Sequence, residues 1–323
     1  MFDRMFNRMF FRFIYSIHCK NYFVKHFFDF YRKFYLTFSL QGGYRMILGT
    51  FSKENTQFAG VVRGETVFAL GYADVQELIK AGENADLTPA AEYPLAELEL
   101  LSPIPKPDRD VICLGINYAA HAVESARFEN KAFGGERPCP IYFSKRVDTA
   151  VPHNGIVDGH FDIVDSLDYE AELAVIIGKA ARNVSPENAF DHVFGYTVLN
   201  DISARNLQTA HKQWYLGKSL DGFTPIGPYI VTADEFQNPP KLAIRSYVNG
   251  ELRQNSNTDK LIFDIPYIIA DLSQGMTLQP GTIISTGTPD GVGMGFVPPK
   301  FLNKGDEVIC EIEGIGQLRN IIG

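Results

Sequence analysis

The chain has 323 residues, 45% hydrophobic and 21% charged, with a net charge of −8. That balance suits a globular protein with a main domain and a smaller companion, and it argues against nucleic acid as the main partner. The four cysteines are widely spaced and contain no C-x-x-C, which suggests neither a zinc ribbon nor a disulfide scaffold, and no apolar run approaches the roughly 20 residues of a membrane span. A cytoplasmic protein with no membrane partner is the expectation.

The first 45 residues differ from the rest. They hold 11 of the 25 Phe and 5 of the 15 Tyr, with eight Lys and Arg against two acids, whereas the chain from Met46 carries 22 basic against 36 acidic residues. Three readings are open: a basic surface anchor with an aromatic face, an organelle presequence, or an extension upstream of a true start at Met46. The third fits best, because ordinary domain sequence follows at once. Residues 1–45 are therefore set aside from the fold.

From Met46, "FAGVVRGETVFAL" (58–70) predicts a hairpin turning at Arg63-Gly64-Glu65, and 73–85 has helical spacing. Pro103, Pro105 and Pro107 mark a linker, which places a small domain at 46–103 and the main one at 104–323. Short strands follow at 110–114, 141–144, 161–164, 169–178, 193–200, 226–231, 242–248, 282–286 and 306–313. Helices are expected from Asn117, from Ser185 with Pro186 at its first position, after Asp201, and over 263–275. Asn249-Gly250 signals another hairpin. The sum is a β-rich α+β fold.

Within "LDYEAELAVIIG" (167–178), Glu170 and Glu172 share one face of a strand that is otherwise apolar. A strand exposed in its first half would explain this, but two close carboxylates also suit a hard cation such as magnesium, calcium or manganese. A third carboxylate, Asp201, ends an apolar strand where a helix N-cap is the competing explanation. Lys218, in "WYLGKSLDGFTPIGP", lies in rigid irregular backbone where a cation could offset an enolate or a substrate carboxylate. "GKS" is no P-loop, since Lys212 stands where Walker A needs glycine. His121 and Glu124 share a helical face, an arrangement that orients a general base, though it also describes a surface pair. "STGTPDGVGMG" (285–295) offers backbone amides that could cradle a carboxylate or oxyanion.

The segments "GINYAAHAVES", "LDYEAELAVIIGK", "GYTVLNDISAR", "GKSLDGFTPIGP", "VNGELRQNSNT" and "STGTPDGVG", in this order, resemble the fumarylacetoacetate hydrolase family over about 110–320. Residues 46–103 are similar to the small N-terminal domain of many bacterial members. The resemblance implies a mixed β-roll, a homodimer or larger, and magnesium or manganese held by Glu170, Glu172 and Asp201. It implies Lys218 as the active-site lysine and His121 with Glu124 as the lid pair of the acylpyruvase-like branch. Arg205, Gln254 and Thr288 are implied on the substrate side, Arg205 as a positioning group.

Such a site would bind a small 2-oxo acid and stabilise a metal-bound enolate. His121, oriented by Glu124, would activate water to cleave the C–C bond of an acylpyruvate. The same enolate serves decarboxylation of oxaloacetate, or isomerisation or hydration of an unsaturated 2-oxo diacid such as a hydroxymuconate. The dyad favours hydrolysis, with decarboxylation next. A non-catalytic family member or a calcium-stabilised structural domain would not need these groups. Specificity for the acyl group is expected in 125–138.

Overall fold

The computed structural model describes residues 46–128 and 139–323. The readings of 1–45, and of the specificity segment beyond Phe128 up to residue 138, lie outside the described residues. Strands β1 (Ile47–Lys53), β2 (Thr56–Arg63) and β3 (Thr66–Ala69) form a meander. Its second turn is Gly64-Glu65, where Gly64 takes a left-handed φ of 56° suited to a tight hairpin. Helix α1 (Val75–Ala81) is capped by Asp74, whose carboxylate accepts from the Glu77 N–H. Then β4 (Ala91–Pro94) pairs with β3, and β5 (Glu99–Leu100) with β1.

Beyond the prolines come β6 (Val111–Gly115), α2 (Ala119–Phe128), β7 (Ile141–Lys145), β8 (Ile156–Val157), β9 (Leu167–Asp168), β10 (Ala171–Ile177) and β11 (Val193–Asn200). Next are β12 (Ser203–Ala204), the short helices α3 (Arg205–Ala210) and α4 (Tyr215–Lys218), and β13 (Ile226–Thr232). The chain closes with the hairpin β14 (Ala243–Val248) and β15 (Glu251–Asn257), then α5 (Ile265–Ser273), β16 (Ile283–Ser285), β17 (Glu307–Ile312) and β18 (Gly316–Ile322). The fold is α+β and sheet-rich, as the sequence predicts. Among the described residues no helix is long and apolar enough to cross a membrane.

One sheet runs β4-β3-β2-β1-β13-β11-β10-β16-β6-β7, with β5 beside β1, and a second runs β15-β14-β17-β18-β8. Among the described strands only β16–β6 and β18–β8 pair in parallel. Because β1 pairs with β13, the strands of 46–103 continue the sheet that carries the later segment. Strand alternation then sorts β10 into two faces. Leu173, Val175 and Ile177 join Ile244, Cys310 and Leu318 of the second sheet in one buried core. The opposite face turns Glu172 towards the site.

Three expectations need correction. Residues 161–164 form a turn rather than a strand, because the Ile163 and Val164 N–H groups both donate to the His160 carbonyl. The element at Ser185 is a 3₁₀ helix over Pro186–His192. The helix after Asp201 starts only at Arg205, since Ser203–Ala204 first pair with Leu167–Asp168 as a short ladder. Strand β18 lies beyond the last strand that the sequence suggests.

Candidate active site

Glu170 stands one residue ahead of β10, and Glu172 lies within it. Residue 200 pairs with 171 across β10 and β11, and the Asp201 N–H donates to the Glu170 carbonyl at 2.9 Å. The three carboxylates are therefore neighbours across two adjacent strands, with ligand oxygens within 4.8 Å of one another. All three are buried, so neither a half-exposed strand nor an N-cap describes them, and the residue at the α3 cap is Ala204.

Buried charges must be answered. The Lys218 ammonium bridges Glu170 Oε2 and Asp201 Oδ2, each at 2.7 Å. Arg205 spreads its guanidinium over Glu170 Oε1 at 2.7 Å, Asp168 Oδ2 at 2.9 Å and Gln208 Oε1 at 3.0 Å. Lys145, which the sequence reading missed, is fully buried at the end of β7. It contacts Asp201 Oδ1 at 2.7 Å and donates to the carbonyls of Ile202 and Lys218. Asp168, also missed, accepts from the N–H groups of Tyr169, Gly293 and Met294 as well as from Arg205.

Glu172 differs. It accepts from the Ser285 hydroxyl at 2.5 Å and the Gly287 N–H at 2.9 Å, and no cationic side chain among the described residues touches it. Gly287 has φ +95°, and a Cβ there would come within 2.8 Å of Asn117 Cβ. Burial, then the charges of Asp201 and Glu170, push the Glu172 pKa well above the ordinary carboxylate value. Burial also acts on Glu170, but Lys218, Arg205 and His121 outweigh it and hold that carboxylate below its usual range. Burial lowers the Lys145 pKa, whereas for Lys218 Asp201 and Glu170 overcome burial and raise it. Three hard oxygen donors, one of them without a cationic side chain against it, suit a divalent cation of the magnesium or manganese kind.

Of these groups Glu170, Glu172, Arg205 and Lys218 border a cavity of ≈630 Å³. Its apolar side includes Phe143, Trp214 and Met294, and His121 and Thr288 also line it. His121 is buried on α2 with Nδ1 3.5 Å from Glu124 Oε2, at the long limit of a hydrogen bond. Glu124 is held instead by the Gly291 N–H, at 3.0 and 3.1 Å from its two oxygens. The glycine-rich loop thus cradles the chain's own carboxylates: Glu172 from Gly287, Glu124 from Gly291, and Asp168 from Gly293 and Met294. Gln254 is fully buried and committed, accepting from the Ala171 N–H and donating to Thr288 Oγ1 and the Pro289 carbonyl. Its reach to the cavity is through Thr288, whose hydroxyl donates to the Ala171 carbonyl at 3.0 Å.

Residues 110–322 match the family model described as the C-terminal domain of fumarylacetoacetate (FAA) hydrolase. Over 234 residues, 72% of this chain and 75% of the relative, the sequence is 49% identical to oxaloacetate tautomerase YisK of Bacillus subtilis (strain 168). Among solved structures, the fumarylacetoacetate hydrolase EaFAH of Exiguobacterium antarcticum is similar at 38% identity and a TM-score of 0.75, covering 86% of this chain and 99% of that one. A 5-carboxymethyl-2-hydroxymuconate delta-isomerase from Mycobacterium smegmatis is similar at 31% identity and a TM-score of 0.70, with coverage of 86% and 99%.

Proposed function

The chain belongs to the fumarylacetoacetate hydrolase family, and on that premise we propose that it interconverts the enol and keto forms of a small 2-oxo diacid of the oxaloacetate type. The observation that carries this reading is the 49% identity to an oxaloacetate tautomerase. The site chemistry supports it, because enolisation needs a Lewis-acid subsite and one mobile proton, without an activated water. Glu170, Glu172 and Asp201 would hold the divalent cation. When bound, that cation supplies Lewis acidity to the end of the substrate bearing the 1-carboxylate and the 2-oxygen.

The chain's own groups do the rest. Lys218 and Arg205 balance Glu170 and fix its carboxylate. Lys145 does the same for Asp201 from the other side. Gln254 fixes Thr288 at the cavity wall. His121 moves the proton: Nδ1 faces Glu124, which leaves Nε2 for the substrate. Nε2 takes the proton of the enol hydroxyl, the C2–O bond becomes a carbonyl, and the proton is delivered to C3. Nothing is gained or lost from solvent.

Acylpyruvate hydrolysis is the second reading, favoured by the placement of Glu124 beside His121. A panel of oxaloacetate enol, acetylpyruvate and a hydroxymuconate, run with magnesium, with manganese and with chelator, separates the readings. Tautomerisation of oxaloacetate should be fastest, stop with chelator, and fall roughly 10²- to 10⁴-fold in His121→Ala, the usual worth of a general base. Acetylpyruvate cleavage outrunning it would install the hydrolytic reading. Release of carbon dioxide from oxaloacetate at the faster rate would make the enzyme a decarboxylase.

A further inference from the structure

Within the cavity's carboxylate cluster each charge meets an opposite charge or fixed donors. Glu170 faces Arg205 and Lys218, and Glu172 faces the Ser285 hydroxyl and the Gly287 amide. One edge is different. Just past α3, the exposed His211 and Lys212 line the cavity, and among the described residues no carboxylate pairs with Lys212.

The backbone that carries this cation is anchored. The His211 N–H donates to the Leu207 carbonyl at 3.3 Å. Trp214, two residues beyond Lys212, stacks edge-on against Phe143 with ring centroids 5.4 Å apart. It also fills the space a side chain at Gly115 would need, since a Cβ there would fall 2.1 Å from the indole. A long, flexible ammonium is thus tethered at the open edge of a cavity whose inner carboxylates are already engaged.

We infer that Lys212 binds the distal carboxylate of the substrate, so that the cavity selects 2-oxo diacids over 2-oxo monoacids. The inference rests on the functional reading above, which concerns the 2-oxo end, and adds a reader for the far end. A lysine suits the task because its compact charge and three donors tolerate a carboxylate arriving at more than one angle. In a chain of net charge −8, a cation at the cavity edge with no carboxylate partner among the described residues also draws in a dianionic substrate. Helix α3 has only six residues, so complementing its C-terminal dipole gives Lys212 a minor role by comparison.

The single tryptophan of the chain, Trp214, lines the cavity and gives a binding signal that does not depend on measuring product. Its fluorescence is titrated with freshly dissolved oxaloacetate and with 2-oxobutyrate, which keeps the four-carbon 2-oxo acid but replaces the distal carboxylate by a methyl group. Both titrations contain magnesium. The full chain should prefer the diacid by roughly tenfold, the low end for a charged hydrogen bond at an exposed site. Lys212→Met should bring the ratio of the two affinities to about one, Lys212→Arg should retain a preference, and Lys212→Glu should turn it below one. Equal weakening of both acids in Lys212→Met, or an unchanged ratio, overturns the assignment while leaving the 2-oxo acid reading intact. If neither acid perturbs Trp214 in the unaltered protein, the functional reading itself falls, and this one with it.

Discussion

The carboxylate cluster and the α2 side of the same cavity hold charge in opposite ways. In the cluster, Glu170, Asp201, Arg205, Lys218 and Lys145 meet at 2.7 Å, and all are at least 96% buried. On α2, His121 and Glu124 stand 3.5 Å apart, and Glu124 spends its better hydrogen bonds on the Gly291 amide. Buried ion pairs cost about as much desolvation as they return in attraction, so the cluster is a device for position more than for stability. On the reading proposed above, the α2 pair would move a proton, and its partner is held loosely, at 3.5 Å.

The largest effect that would test this contrast comes from Glu172→Gln. The amide oxygen can still accept from Ser285 and Gly287, while the charge that burial and its neighbours oppose is removed. The protein should fold, with a melting temperature without added cation equal to or above that of the unaltered chain. Activity should vanish. Added magnesium at a hundred times its dissociation constant should stabilise the unaltered chain by about 2.7 kcal/mol and the variant hardly at all. A variant that keeps the full magnesium shift would show that the carboxylates are a structural cluster and not a cation site.

Lys145→Met comes next. Removing one member of a buried pair leaves an uncompensated charge and costs about 3–5 kcal/mol, and the lower end applies because Asp201 keeps Lys218. Denaturant unfolding measures it. A loss below about 1 kcal/mol would mean that Lys145 is not holding Asp201 in place, and the cluster would be less tightly coupled than its distances imply.

How much of this was legible beforehand follows from sequence separation. Glu170 and Glu172 were readable because strand period puts i and i+2 on one face, and Asp201 because it ends an apolar run. Their register against each other was not readable, yet it is what makes them a site: Ala171 lies opposite Asn200. Lys145 lies one residue past the strand expected over 141–144, and only its contact with Asp201, 56 residues away in sequence, gives it a role. Asp168 lies one residue before the strand expected over 169–178, yet it organises Arg205 and two amides of the glycine loop more than a hundred residues later. That loop was read as a cradle for a ligand because free amides attract anions. The anions it holds are side chains that local sequence cannot bring to it. Residues 161–164 misled because alternating Phe161 and Ile163 mimic a strand, whereas both are exposed and the backbone bonds fold back to His160.

The smallest effect is the sharpest for the reaction itself. Glu124→Gln keeps an oxygen to accept from the Gly291 N–H and removes only the charge 3.5 Å from His121 Nδ1. A pair three residues apart on a helix contributes a few tenths of a kcal/mol, so tautomerisation should lose about twofold in kcat/KM. Cation-dependent stabilisation should be as in the unaltered chain, because Glu124 touches none of the three carboxylates' partners except through the glycine loop. Hydrolysis makes a different demand. Both routes pass a proton to His121 Nε2, but water is a much weaker acid than the enol of a 2-oxo acid, so a carboxylate at the other nitrogen does far more for water attack, as an orienting acid residue does for a general base. If kcat for the favoured substrate drops a hundredfold or more in Glu124→Gln, with KM and magnesium response intact, the α2 pair is a tight dyad in the working enzyme. The contrast between the two sides of the cavity would then fail at the point where it matters for choosing between proton transfer and water attack.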